Sequence, residues 1–299
     1  MDTCSSQRSA GATGPQQWTV EILSQQQVAR QTYRLTFRAP ELAARLVPGQ
    51  FLMLRLAGWN DPLLGRPLAV YDVATGTAGQ PEVVEVVYLV MGKMTRRLCQ
   101  LVPGQQLDVW GPLGNGFPQF SDAGRLVMVA GGIGQTPFLA LGKETLRRQA
   151  YGRPWSAEGS GGVPTVKLLY GARSADLLAG VDDFRRAGIE VSTVTDDGTC
   201  GRRGLVTDLL REELAGGGRV SVACCGPEPM LEAVSRLTSA AGVPCWVSLE
   251  TPMACGIGIC FTCVARVLQS DGSWDYRRTC VEGPVFPADR LVWDEPAAH

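Results

Sequence analysis

The chain has 299 residues, 45% hydrophobic and 19% charged, with a formal net charge of −1 and a pI near 6.0. That balance predicts a soluble globular protein of two or three domains. It speaks against a disordered chain, a membrane span of about 18 apolar residues and a basic nucleic-acid-binding surface.

Residues 1–16 open Met1-Asp-Thr-Cys-Ser-Ser-Gln-Arg and lack the apolar centre of a signal peptide, so they predict a disordered tail. Ten cysteines fit thiols kept reduced, and the expected location is the cytoplasm.

Residues 17–117 read as strands. Trp18–Leu23, Thr32–Phe37 and Gln50–Leu56 alternate, Glu82–Val90 is a long β-branched run, and Val47-Pro-Gly49 and Val102-Pro-Gly104 punctuate them. Short, evenly spaced strands predict a small closed antiparallel β-barrel. At one strand start stands Gly65-Arg66-Pro67-Leu68-Ala69, where the arginine can fork onto a diphosphate while the strand lies against a flavin. The competing reading is an ordinary turn arginine. Gly92-Lys93-Met94-Thr95 opens a helix whose amides and threonine hydroxyl would seat a diphosphate, with a capped, ligand-free helix as the alternative. Gly111–Phe117 is a glycine-rich link out of the barrel.

Residues 118–243 change rhythm to strand, turn and helix. Leu126–Ala130 is an apolar run suited to a buried parallel strand. Gly131-Gly132-Ile133-Gly134-Gln135-Thr136-Pro137 follows it and opens a helix expected to reach Arg148, the setting of a dinucleotide loop without the full glycine motif. Val166–Tyr170, Glu190–Val194 and Val220–Cys224 repeat the strand signal, which predicts a doubly wound α/β domain. Cys225-Gly226-Pro227 then falls at a strand's C-terminal end, where such folds bind ligands; an ordinary strand-to-helix turn is the bland alternative. Ser156–Gly162 reads as a flexible insertion.

Residues 244–299 hold the sharpest motif: Cys255, Cys260 and Cys263, spaced C-x4-C-x2-C, with Cys280 seventeen positions on. This is plant-type [2Fe–2S] spacing. Gly256 and Gly258 let the backbone pass close to the sulfurs. A Cys4 zinc site is the competing reading, although it ordinarily uses two C-x2-C knuckles and only one is present. A Rieske centre needs two histidines, and the chain has only His299. The same shortage removes histidine-based acid–base chemistry, so catalysis must come from bound cofactors. The fold class expected is a multi-domain α+β chain of barrel, doubly wound nucleotide fold and small cluster domain.

Together these segments, from about Trp18 to Trp293, resemble the ferredoxin reductase superfamily. More narrowly, they resemble the electron-transfer subunits of class 1B dihydroorotate dehydrogenases. The resemblance implies FAD held by Arg66, Pro67, Leu68 and Ala69, by Val87, Tyr88 and Leu89, and by Met94 and Thr95. The strand-end turns themselves make Gly131, Gly132, Gly134, Thr136, Cys225, Gly226 and Pro227 the expected NAD site, while the resemblance also implies the cluster on the four cysteines. It further implies an FMN-bearing catalytic partner, a heterotetramer, and electron flow from dihydroorotate to NAD+. Small subunits of related NAD(P)H-dependent ferredoxin or sulfide oxidoreductases share these modules, and a flavin-less regulatory protein is the alternative from another class. Two positions depart from the family pattern: Ala69 stands for serine and Met94 for glycine. Were that glycine's φ positive, Met94 would cost about 1 kcal/mol.

Overall fold

The computed structural model describes residues 14–76, 79–121, 124–155 and 165–293. The expected insertion, Cys4, His299 and most of the expected tail lie outside them. Gln16 is already strand, paired with Gly111.

The barrel comprises β1 (Gln16–Ala29), β2 (Thr32–Arg38), β3 (Phe51–Leu56), β4 (Arg66–Thr75), β5 (Pro81–Leu89) and β6 (Gln106–Leu113), closed in the order β1-β2-β5-β4-β3-β6. Two short helices join it, α1 (Pro40–Ala43) and α2 (Lys93–Leu98). The alternation read from sequence puts Ile22, Leu35, Phe37, Leu52, Leu54, Val84 and Val86 in the sealed interior. Each such side chain contributes about 1.5–3 kcal/mol of burial.

β4 changes partner along its length. Arg66–Ala69 pair with β3, whereas pairing with β5 runs from Thr75↔Pro81 to Val70↔Val86. The β5 side of Arg66–Ala69 is therefore left without a strand partner, opposite Val87–Leu89.

The second sheet begins with β7 (Arg125–Gly131), β8 (Thr165–Ala172), β9 (Glu190–Thr195), β10 (Arg202–Arg203), β11 (Val220–Cys225) and β12 (Cys245–Ser248). Its helices are α3 (Phe138–Thr145), α4 (Val181–Arg186), α5 (Val206–Ala215) and α6 (Glu228–Ala240). α3 ends short of Arg148 because Arg147 takes φ 52°. A two-stranded hairpin follows, β13 (Val264–Leu268) with β14 (Trp274–Arg278), and then β15 (Val285–Pro287). The sheet order is β10-β9-β8-β7-β11-β12-β15, parallel except for β15. Thus the boundary expected between 243 and 244 does not separate two units. β12 and β15 both belong to the nucleotide sheet, and the cysteine segment is an excursion between its last two strands.

Barrel and nucleotide fold share a core. Tyr71 and Val87 from the barrel pack with Phe117, Phe138 and Phe184, and the Tyr71 and Phe184 rings meet edge-on at 6.3 Å. Polar groups line the same seam. Glu85 lies beside Asp72 and 3.9 Å from Arg34. Burial and then the Asp72 carboxylate push its pKa up, against Arg34 and Lys143. A raised folded-state pKa makes the native chain hold this proton to higher pH than the unfolded chain, so stability falls as pH rises through that range. Glu85→Gln is accordingly expected to stabilise the protein at neutral pH. The gain should vanish below about pH 4 in urea unfolding measured across pH; a gain that grew with acidity would contradict this.

Candidate functional site

Three candidate sites adjoin one another. The first surrounds the free edge of β4. Arg66 donates from Nη1 to the carbonyls of Leu64 (3.2 Å) and Gly65 (3.0 Å), and no carboxylate pairs with it among the described residues. Asp61, on the loop entering β4, pairs with both Lys93 and Arg97 of α2, which ties that helix to the Arg66 loop. Arg96 donates to the Met91 carbonyl at 3.2 Å. The patch therefore carries more cation than anion, the donor set a diphosphate requires. Val87 faces the shared core, whereas Tyr88 turns its ring into the barrel and donates its hydroxyl to Gln25 Oε1 at 2.9 Å. A flavin would thus meet the backbone of Tyr88, not its ring.

Two expectations at α2 change. Thr95 Oγ1 accepts the amides of Met91 (3.0 Å) and Gly92 (3.1 Å) and donates to the Gly92 carbonyl, so this hydroxyl serves its own turn. Met94 is helical; the described non-glycine residues with positive φ are Gln31, Arg147 and Phe261. The conformational cost tied to Met94 therefore does not arise. Its side chain is instead fully buried in the barrel core. Met94→Gly should destabilise the protein by about 2–5 kcal/mol through the cavity it leaves, measured by chemical denaturation. A neutral outcome would mean the core collapses around the site.

The second site joins two turns at the C-terminal edge of the sheet. Gly131–Pro137 leaves β7 through a 3-10 turn at Gly132–Gln135, and Cys225-Gly226-Pro227 leaves the neighbouring β11. A Cβ on Gly134 would stand 2.3 Å from the Cys225 carbonyl oxygen, so the turns meet backbone to backbone. Thr136 is buried, and burial pushes the Cys225 thiol up to about 12, keeping it neutral. Gln135 is fully buried with neither end of its amide paired. Leaving such groups unsatisfied costs about 1–3 kcal/mol each.

The third site holds the cysteines, which stand as two pairs. Cys260 hydrogen-bonds with Cys255, and Cys280 with Cys263. Among the described residues no three of these or other ligating side chains close on a single ion. Two ligands for each of two irons suits this pairing better than one tetrahedral zinc. Backbone donors point at the sulfurs: the Ile257 amide lies 3.4 Å from Cys255 Sγ, and the Gly258 amide faces Cys280. Gly256 and Gly258 take φ +73° and +83°, which lets the loop wrap inward. The Thr262 amide and hydroxyl and Cys255 draw the Cys260 thiol down to about 6. Donors aimed at sulfur, with no acidic ligand between them, fit an iron–sulfur cluster.

The cysteine segment packs on the barrel. Cys263 and Cys280 are buried against Phe51 and Met53 of β3 and Leu113 of β6, and Trp110 Nε1 donates to the Cys255 carbonyl at 3.0 Å. Asn115 donates from Nδ2 to the carbonyls of Glu282 (3.0 Å) and Val285 (2.8 Å) and accepts the Val285 amide at 3.0 Å. The link out of the barrel is therefore a clasp on the cluster segment. Met53, Trp110 and Asn115 escape a sequence reading; an asparagine between two glycines was the one available cue.

Comparison with known proteins gives three family matches: an oxidoreductase FAD-binding domain over residues 19–117, an oxidoreductase NAD-binding domain over 128–236, and the iron–sulfur cluster binding domain of dihydroorotate dehydrogenase B over 250–292. The electron-transfer subunit of dihydroorotate dehydrogenase B (NAD+) from Desulforamulus reducens is 33% identical over 274 residues, covering 92% of this chain and 97% of that one. The same subunit from Geobacillus thermodenitrificans is 36% identical over 273 residues, covering 91% and 96%. Among solved structures, an NADH-dependent reduced ferredoxin-NADP oxidoreductase matches with a TM-score of 0.74 at 26% identity, covering 95% of this chain and 91% of that one.

Proposed function

The chain belongs to the family of dihydroorotate dehydrogenase B electron-transfer subunits, and from that premise we propose that it carries electrons between a flavin-bearing catalytic partner and NAD+. It is an oxidoreductase subunit with FAD-binding, NAD-binding and iron–sulfur domains. FAD held at the β4 edge would supply the hydride and single-electron chemistry that no side chain here supplies.

One observation carries the reading: β3 lies between the flavin motif and the cysteines. Phe51 and Met53 pair with Ala69 and Pro67 on β4 and are also buried against Cys263 and Cys280. Adjacent strands run about 4.8 Å apart, so a single strand separates the two redox sites. In this reading Arg66, with Lys93, Arg96 and Arg97, neutralises the diphosphate. The backbone of Leu68, Ala69 and Val87–Leu89 borders the ring, Thr95 shapes the α2 turn, and the Gly131 and Cys225 turns receive the nicotinamide.

Ile257, Ile259, Phe261 and Val281 are exposed around the cysteines, an apolar rim where the partner would seat. No described helix is long and apolar enough to span a membrane. Dihydroorotate would be oxidised on the partner, and two copies of each subunit would form the assembly, in the cytoplasm.

The test is purification of the native complex. Flavin and [2Fe–2S] absorbance, NADH-driven dye reduction by this chain alone, and dihydroorotate oxidation only with the co-purifying subunit are expected. A co-purifying ferredoxin:NADP oxidoreductase subunit would favour the rival that the structural match to such an enzyme raises.

A further inference from the structure

Barrel and nucleotide fold face each other across a cleft of about 290 Å³. Two carboxylates bridge it in opposite senses. Asp72 of β4 pairs with Lys143 of α3 and accepts the Tyr151 hydroxyl at 2.7 Å. Asp183 of α4 pairs with Arg34 of β2 and accepts the Tyr71 hydroxyl of β4 at 2.8 Å. Each domain thus supplies one acid and donors for the other's acid, with Arg186 of α4 also paired to Asp183 from its own helix. Both acids are largely withdrawn from water, with side-chain exposures of 8% for Asp72 and 12% for Asp183.

Their positions in the chain matter. Asp72 lies three residues beyond the Arg66–Ala69 flavin motif, on the same strand. Lys143 sits on the helix that the Gly131–Pro137 turn opens. The Asp72–Lys143 bridge therefore joins the strand beside the flavin to the helix beside the nicotinamide. The shared apolar core cannot fix an angle between domains so well, because burial is non-directional whereas hydrogen bonds are directional. Stability is also a weak reason to keep buried ion pairs, since apolar replacements of similar volume are often neutral or stabilising.

We propose that the Asp72–Lys143–Tyr151 and Asp183–Arg34–Tyr71 bridges are positioning devices that hold the two domains at the angle bringing nicotinamide and flavin rings into reactive register. The inference rests on the FAD and NAD reading above. Hydride transfer needs the reacting atoms about 3–3.5 Å apart, and a misplacement of about 1 Å can cost about 100-fold in rate.

The test uses the complete FAD-loaded complex with Lys143→Met, Lys143→Arg and Tyr71→Phe. Stopped-flow reduction by NADH gives the limiting rate and the NADH dissociation constant separately, and the long-wavelength charge-transfer absorbance reports ring stacking. Lys143→Met is expected to slow the limiting rate by about tenfold or more while leaving the dissociation constant within about twofold. It should weaken the charge-transfer band, and Lys143→Arg should recover most of both. In the flavin-free chain, hydrogen exchange should quicken together at residues 70–75 and 138–145. Wild-type rates and band in every variant, with only a lower melting temperature, would overturn the proposal; Tyr71→Phe and Lys143→Arg keep this decision open if Lys143→Met fails to fold. A wild-type complex that binds NADH but never reduces its flavin would instead refute the functional reading. In that case exchange at the two segments still decides whether the bridges hold the domains.

Discussion

Replacing Cys280 with serine is expected to remove the iron–sulfur centre while leaving the flavin in place. Cys280 is buried against β3 and paired with Cys263, and the Thr279 amide holds the Cys263 carbonyl at 2.7 Å, so the two ligands are set by one short backbone contact. A serine hydroxyl is a harder donor than a thiolate and, unlike a cysteine thiol, stays protonated near neutral pH, so it is a poor substitute ligand for iron. Iron and acid-labile sulfide should fall together, and electron delivery to the partner should drop by at least about 100-fold. NADH-driven reduction of a two-electron dye should persist, because the β4 edge and the Gly131 turn do not depend on Cys280. The comparison is metal analysis and visible spectra of anaerobically purified wild type and variant. Zinc in the wild type, or retained iron in the variant, would remove the basis for the relay.

Gly134→Ala should do the converse: keep the cluster and flavin but uncouple them from NADH. The added Cβ would lie 2.3 Å from the Cys225 carbonyl oxygen, 2.5 Å from its carbon and 2.7 Å from the Gly226 nitrogen. All three are backbone atoms on a strand end, so no side chain can swing aside, and the two turns must separate. The strain costs about 1–3 kcal/mol of stability. If the Gly131 turn receives the nicotinamide as proposed, moving it by up to about 1 Å should lower the rate of flavin reduction by about 100-fold. Stopped-flow reduction, with flavin and iron content measured on the same sample, checks this. An alanine variant reduced at the wild-type rate would show that the turn can yield.

What the sequence made legible was whatever repeats or is spaced locally. Alternation placed the barrel strands, the apolar run at Leu126–Ala130 placed a central parallel strand, and cysteine spacing led to thiols that stand in pairs. Features needing distant segments stayed hidden. β12 and β15 have four and three residues, too few for a period that would assign them to the nucleotide sheet. The Asp72 and Asp183 bridges join residues 71 and 149 positions apart in sequence. The fate of the Thr95 hydroxyl depended on which amides its own turn left open. At Met94, a departure from the family pattern suggested strain; the buried side chain fills core volume instead.

The excursion between β12 and β15 bears on how a newly made chain matures. β15 covers the outer edge of β12, yet it is synthesised after all four cysteines. Until that last ribbon arrives, the edge of β12 presents unpaired backbone of the kind that invites aggregation. Sealing of the nucleotide fold is thus a late event that follows synthesis of every cluster cysteine, and iron-starved cells should accumulate chains selectively open to proteases from β12 onward.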